Sequence, residues 1–428
     1  MPGKLSDFRL TADSIGGMAD QIGDTAVRLQ ESVSGAPDGG KNRPGGRLRA
    51  LAAAGIALLL LAGHAYTAAR AAVWLALFCP APLAVLPWPL FLLLPCCLMA
   101  GFLLPKSRLR FRLKAIGSCW IGGWLYLLLL TAAYDLTRAL ARALGAVWGP
   151  PAPLLGGAIV LAATGAIYLG GVLNARRVVT RRYAFTLRKA NAAGRDHLRL
   201  ACCSDLHLGD FVGPRHCRRV AAALQAAQAD LLLLAGDLFD HDFSAVRRPE
   251  QIAALLRDVK RPDGAFACPG NHDRNSGLGS DPRLDAFFRA AGIELLCDRS
   301  VTVAGLALAG ADDVWSGGTA RKPLAELWAQ SDPALPRLLL IHQPERLEEA
   351  RQADVDLLFC GHTHGGQLFP LTLLGRFLYR PLYGRHQRGG TEIIVTSGAG
   401  YWGPPLRVGS ASEIVVIDLT FAPSAAGD

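Results

Sequence analysis

The sequence predicts two units in series: an all-α transmembrane domain of about four helices, followed by an α/β domain with a largely buried sheet. Three observations carry this. Four uncharged stretches of 20 residues or more lie between Arg49 and Arg70, Arg70 and Lys106, Lys114 and Asp135, and Arg142 and Arg176. From about residue 197 the pattern changes to short apolar runs with helical patterns between some of them. Each run ends in Gly, Asp, Asn or His, so oxygen and nitrogen donors recur at strand ends.

The membrane reading comes first along the chain. Hydrophobic residues make up 51% of the protein, with a mean hydropathy of +0.26. Buried core helices seldom stay uncharged for 20 residues, which is the length needed to cross a bilayer. The predicted spans lie near 50–69, 83–104, 115–134 and 153–174. Pro80, Pro82, Pro87 and Pro89 break residues 71–89, so the second span is placed after most of them. A fifth, re-entrant or interfacial segment at 71–79 is an alternative. A cleaved signal peptide is not expected, because the first apolar run starts near residue 50 and others follow.

Basic residues set the orientation. Lys41, Arg43, Arg47 and Arg49 precede the first span. Lys106, Arg108, Arg110, Arg112 and Lys114 fill the second loop, and Arg176, Arg177, Arg181, Arg182, Arg188 and Lys189 follow the fourth. The positive-inside rule then places both termini and the α/β domain in the cytoplasm, in a multi-pass protein of the inner (cell) membrane. The clusters need only this topogenic role; holding anionic lipid head groups is the second reading. Residues 1–46 read as a mostly disordered tail, 47–175 as the membrane domain, 176–196 as a basic linker, 197–420 as the α/β domain and 421–428 as a short tail.

Charge excludes one function class. Residues 41–190 hold 18 Lys/Arg against one Asp, a net of +17, while residues 191–428 carry a net of −4. A net acidic soluble domain argues against broad nucleic-acid binding. The ten cysteines form no CxxC pair, and several sit in apolar runs as small hydrophobes, which suits a reducing compartment.

The strands of the α/β domain read as "LRLACC" (198–203), "DLLLLA" (230–235), "GAFACP" (264–269), "LALAGA" (306–311), "RLLLIH" (337–342), "VDLLFC" (355–360), "EIIVTS" (392–397) and "EIVVID" (413–418). Continuous apolar runs suit strands covered on both faces. After the first come Asp205 and His207. Asp237 follows the second, and Asn271, His272 and Asp273 follow the third. His342 ends the fifth, and His362 and His364 follow the sixth. Ligands bind outside the carboxyl ends of strands in open α/β sheets, so five donor groups would converge on one place. Any one such Asp or His is more often a cap; the ordered set is what points to a metal site. Carboxylate, amide and imidazole donors suit Mn, Fe or Zn.

In this order and spacing, "DLH", "GD", "GNHD", "H" and "GHTH" resemble the five signature blocks of the calcineurin-like metallophosphoesterases, over residues 197–420. The ending "SGAGYWGPPLRVGSASEI" (397–414) resembles a bacterial, often membrane-anchored subgroup. The resemblance implies a four-layer sandwich, with two mixed β-sheets flanked by helices. It implies two divalent metal ions, the first held by Asp205, His207, Asp237 and His364, the second by Asp237, Asn271, His342 and His362. Hydroxide bridging the ions would attack the phosphorus in line. His272 would orient the phosphate and act as general acid, with Asp205 as its partner and Asp273 as the alternative partner. Asn271, His272 and Arg407 would contact substrate, and Tyr401 is a further candidate. His64, His197, His216, His241 and His386 read as surface or structural, with His241 in "FDHD" the least secure. Cys360 reads as packing.

The expectation is therefore a metal-dependent phosphoric ester hydrolase acting on a lipid-linked or membrane-proximal phosphoester or pyrophosphate, with membrane lipids as partners. No nucleic acid and no obligate protein partner are implied. The alternatives are a phosphodiesterase or phosphatase for a soluble substrate merely located at the membrane, and a sensor or transport module regulated by a metal-binding domain.

Overall fold

The computed structural model describes residues 45–105, 107–146, 149, 152–313 and 322–423. The N-terminal tail expected over 1–46 lies, up to residue 44, outside the described residues. So does the C-terminal tail from residue 424.

Among the described residues four helical stretches are long and apolar enough to cross a membrane. They are built on α1 (Gly45–Leu75), α2 (Pro87–Leu103, the stretch starting at Pro82), α3 (Arg108–Ala143) and α4 (Ala152–Arg176). Proline governs the entry to α2: a helical turn at Ala81–Ala84 precedes it, and Pro87 and Pro89 sit in its first turn, where a missing N–H costs nothing. Residues 71–75 are the end of α1 and 76–78 a turn, so no separate fifth segment stands at 71–79. At 36 residues α3 is about 54 Å long, well beyond a hydrocarbon core of about 30 Å. Ser107 caps it by accepting the Arg110 N–H at 3.1 Å.

Arg70 and Asp135, which the sequence reading puts in loops, lie inside α1 and α3 and pair with each other. The Tyr66 hydroxyl donates to Asp135 Oδ2 at 2.7 Å. Pairing is what makes such charges tolerable between membrane helices. His64 stacks on Trp124 at 3.9 Å and accepts from Trp120 Nε1 at 3.2 Å, a structural role inside the bundle.

The α/β domain holds two six-stranded sheets. The first has the order β1-β12-β2-β3-β4-β5 and the second β10-β11-β9-β8-β7-β6. The first comprises β1 (Val178–Leu187), β2 (His197–Cys203), β3 (Leu231–Ala235), β4 (Ala265–Cys268), β5 (Glu294–Leu295) and β12 (Ser412–Phe421). The second comprises β6 (Arg299–Val303), β7 (Leu306–Gly310), β8 (Arg337–Leu340), β9 (Leu357–Cys360), β10 (Gly384–Arg388) and β11 (Thr391–Val395). Both are mixed: β2, β3, β4 and β5 run parallel while β12 opposes β2, and β7, β8, β9 and β11 run parallel while β6 and β10 are antiparallel edges.

Side-chain alternation builds the layers. Leu200, Cys202, Leu231 and Leu233 from the first sheet meet Leu308, Leu338, Leu340, Leu357 and Phe359 from the second in one core between the sheets. The intervening Ala201, Cys203, Leu232 and Leu234 point the other way, into a core with α5 (Pro214–Ala227), α6 (Pro249–Arg257) and α8 (Pro282–Ala291). Leu339, Leu358 and Cys360 face a third core containing Trp328 and Leu347. Helix, sheet, sheet, helix is the four-layer order expected. Each fully buried Leu contributes about 1.5–3 kcal/mol, which is why the strands are apolar on both faces.

One expected boundary is wrong. Residues 178–187, assigned above to a basic linker, form β1, which pairs in parallel with β12 over ten residues. Its arginines belong to an edge strand with one face exposed. Only Arg177 separates β1 from α4.

Phe359 is 1% exposed at the centre of the inter-sheet core. Phe359→Ala should destabilise the domain by about 3–5 kcal/mol. The measurement is the melting temperature of the detergent-solubilised protein; an unchanged value would place Phe359 outside the core.

Candidate metal centre

Five loops leave the carboxyl ends of β2, β3, β4, β8 and β9 and bring their donors to one place. Local backbone shape does much of the work. Asp205, His207, Asp237, His362 and His364 all have φ between 48° and 69°, the left-handed region that non-glycine residues rarely occupy. Such strain persists only where surrounding contacts hold it. Here the Asp205 N–H donates to Gly236 O and the His207 N–H to Asp237 O, both at 3.0 Å. Two glycines are required by close approach. A Cβ on Gly361 would stand 2.2 Å from Asp205 Oδ2, and one on Gly270 2.2 Å from Asp237 Oδ1.

The donors fall into two adjoining groups. Asp205, His207 and His364 offer atoms within 4.8 Å of one another, and so do Asp237, His342 and His362. In the first, His207 Nε2 lies 3.0 Å from His364 Nε2, and His364 Nε2 lies 3.5 Å from Asp205 Oδ1. In the second, His342 Nε2 is 3.1 Å from Asp237 Oδ2 and 3.2 Å from His362 Nδ1. Asp237 Oδ2 also stands 3.7 Å from His207 Nε2, so one carboxylate touches both groups.

These residues fit cations. Asn271 Oδ1 is buried with no hydrogen-bond partner, an orphan that a metal ion would satisfy. Burial holds His207 and His362 down at about 3, with His272 and His342 respectively adding repulsion, and holds His364 well below the ordinary imidazole value. Neutral imidazoles are what metal ligation needs. Burial also raises Asp205 to about 6. Buried carboxylates without a counter-charge are costly, and cations remove that cost.

His272 is the second residue of the short helix α7 (Asn271–Asn275). Its main-chain N–H donates to Asp237 Oδ1 at 2.9 Å, and its Nδ1 to the Asp240 carbonyl at 2.6 Å. Burial pulls its imidazole down, but Asp237 and Asp240 outweigh burial and lift it to about 9. The expected partners are therefore both corrected. Asp205 is occupied by the His362 N–H, at 3.0 Å from Oδ2. Asp273 caps two turns, accepting the Phe239 N–H and the Gly270 N–H at 2.9 Å each. Asp240 is the partner the sequence reading missed. His241, left aside as structural, stacks on His272 at 4.2 Å and joins it and Asp240 in a further donor group. "FDHD" was the available signal, but the contact depends on a main-chain carbonyl that no motif displays.

Arg407 and Tyr401 do not take the substrate-contact role expected of them. Arg407 is 0% exposed and spends its donors on carbonyls: Nε to Gly400 at 3.0 Å, Nη2 to Ser397 at 2.6 Å, Nη1 to His364 at 3.3 Å. It is a positioning residue behind His364. Tyr401 is buried with its hydroxyl donating to Phe211 O at 3.4 Å. His216 is structural, its Nε2 2.8 Å from Ala399 O. Cys360 is buried in the third core, with its thiol against Ile394 O.

Membrane helix α3 reaches this neighbourhood. Lys114 Nζ donates to Asp210 Oδ2 at 2.7 Å and stands 3.8 Å from Asp240 Oδ2. A cavity of about 440 Å³ lies there, lined by Arg108, Arg110, Lys114, Asp240, His241 and Arg247.

Comparison with known proteins agrees with the geometry. The calcineurin-like phosphoesterase family profile matches residues 198–366. An uncharacterized metallophosphoesterase of Helicobacter pylori strain J99 is 31% identical over 230 residues, covering 52% of this chain and 60% of the relative. A transmembrane protein with metallophosphoesterase domain from Danio rerio is 34% identical over 244 residues, covering 52% and 53%. Phosphodiesterase YaeI of Escherichia coli K12 is 34% identical over 253 residues, covering 56% of this chain and 87% of the relative. The chain spans about 60% of the length of the first curated relatives it matches.

Two donor groups sharing Asp237 should retain about two divalent ions per chain, measured by elemental analysis of the purified protein. Gly361→Ala should lower that content by displacing Asp205, and full occupancy in this variant would show that the close approach is not needed.

Proposed function

This chain is a calcineurin-like metallophosphoesterase, and we propose that it hydrolyses a phosphoester or pyrophosphate bond of a lipid-linked or membrane-proximal substrate at the two donor groups around Asp237. The observation that carries the membrane-proximal part is Lys114: a residue of an apolar helix stands 3.8 Å from Asp240, the partner of His272. The cavity beside them has walls from both the membrane unit and the phosphoesterase unit. A substrate anchored in the bilayer would be concentrated at that site. The name of the Escherichia coli relative, a phosphodiesterase, favours a diester. Lys/Arg-rich helix ends on this side of the bundle support a cytoplasmic face of the cell membrane.

Divalent ions of Mn, Fe or Zn, held by Asp205, His207, Asp237, Asn271, His342, His362 and His364, would neutralise phosphate charge and acidify water at neutral pH. The chain's own residues do the rest. The Asp240 carbonyl fixes His272 through Nδ1, leaving Nε2 to donate a proton to the leaving oxygen. Asp240, which is not among those metal-holding residues, favours the protonated form of that imidazole. Arg407 holds the His364 main chain, and the Asp205 carboxylate holds that of His362, so the "GHTH" loop keeps its shape as substrate enters.

A soluble substrate is the second reading. A panel of phosphomonoesters, phosphodiesters and lipid pyrophosphates, with Mn, Fe and Zn added back separately, distinguishes them. Turnover of lipid substrates should exceed that of matched water-soluble esters; the reverse order would sink the lipid reading while leaving hydrolysis intact. Asp237→Asn should abolish all turnover.

His272→Ala should lower kcat by roughly 10²–10⁴-fold with metal content unchanged. Asp240→Asn tests the partner. A protonated His272 is required, so activity falls as pH rises through its pKa. Asp240 raises that pKa, so its removal should move the alkaline limb of kcat/KM to lower pH. A limb that stays in place would rule Asp240 out as the tuning group.

A further inference from the structure

A second cavity, of about 770 Å³, opens where α4 meets the phosphoesterase domain. Six arginines line it: Arg176 ends α4, Arg215, Arg218 and Arg219 lie on α5, and Arg247 and Arg248 precede α6. Among the described residues no acidic side chain is in its lining. Among the described residues none of the six has an ion-pair partner, whereas Arg195, Arg283 and Arg385 elsewhere in the domain are each paired with a carboxylate. The guanidinium of Arg247 lies over the Phe111 ring of α3 at 5.6 Å, so the membrane unit helps to position it.

Six like charges around one concavity repel one another and raise a strong positive potential there. A bound anion relieves this. The start of α5, Gly213 and Pro214, also lines the cavity and adds the positive end of a helix dipole. Phe211, Tyr401 and Pro405 supply apolar wall beside the arginines. Arginine is the residue suited to phosphate, because its planar fork donates two parallel hydrogen bonds.

We propose that this cavity binds the phosphate headgroup of an anionic membrane lipid, at a site separate from the metal centre. Arg176 ends an apolar helix long enough to span a bilayer, so the cavity lies at the level of the headgroups on that side. Juxtamembrane arginines at that level attract anionic lipids at about 1 kcal/mol each. The inference rests on α4 crossing a membrane and not on the hydrolytic reading.

The test uses the full chain in a neutral detergent and native mass spectrometry. The probes are dihexanoyl phosphatidic acid, dihexanoyl phosphatidylcholine and inorganic pyrophosphate. Phosphatidic acid should bind, and Arg215→Gln/Arg218→Gln/Arg219→Gln should weaken it roughly 100-fold, at about fivefold per charge. These three side chains are exposed on α5, so melting temperature and metal content should not change. Should the triple variant fail to fold, Arg219→Gln alone should weaken binding about fivefold. Asp237→Asn, which disables the metal centre, should leave phosphatidic acid binding intact, so the two sites fail separately. Equal binding by the triple variant, equal binding of phosphatidylcholine, or Asp237→Asn binding pyrophosphate as tightly as phosphatidic acid would each overturn the proposal, the last by assigning the cavity to a soluble anion.

Discussion

Arg407 sits where the membrane helices, the last loop and the metal centre meet, and the burial of its charge constrains all three. A guanidinium out of water costs several kcal/mol unless its donors are satisfied. Burial lowers its pKa to about 10, so the charge persists at neutral pH. It is therefore surrounded by the carbonyls of His364, Ser397, Gly398 and Gly400, each of which must turn inward to reach it. Its own main chain is held from the other side: Arg407 N donates to Gly171 O at 3.1 Å, and Asn174 Nδ2 donates to Arg407 O at 3.0 Å. One residue thus fixes the histidine loop and anchors it to α4.

Cost and function are coupled at the metal centre too. Five donor residues accept left-handed backbone, and carboxylates and imidazoles are crowded together out of water. Neither feature helps the fold alone. Both become favourable once cations occupy the groups, because ligand bonds then reward the strained placement. The stiff inter-sheet core below supplies the support that strain requires.

Much of this was legible in the sequence. The strand runs ended with the strand at β2, β3 and β9 and within three residues of it elsewhere, because both-face burial leaves continuous apolar letters and turns demand Gly or Asp; the short or edge strands β5, β6 and β10 left no such run. The seven candidate ligands were legible for the same reason: they follow strands directly, so one-dimensional position nearly fixes spatial position. What was not legible depends on pairing or on the main chain. Arg181 and Arg182 made β1 look like a linker, since an edge strand with an exposed face shows no apolar run. Asp240 was missed because its carbonyl, which any residue could supply, holds His272. Arg407 looked like a substrate contact because a sequence shows a charge but not its burial. The length of α3 was hidden by Lys114 and Asp135, which find partners, so the helix continues through both.

The junction between α4 and β1 carries a mechanical consequence. Only Arg177 lies between a helix long and apolar enough to span a bilayer and a strand paired over ten residues within the catalytic sheet. A domain on a flexible leash samples many heights and tilts above a bilayer. This one has a single residue for a leash, and Asn174 ties the end of α4 to the Arg407 and Ser410 carbonyls, which swinging about the junction would break. With α4 seated in a bilayer, the reaction centre would be held at one depth, like a blade set at a fixed clearance. Selectivity can then come from how far a bond stands above the surface, independent of the chemistry on either side of it.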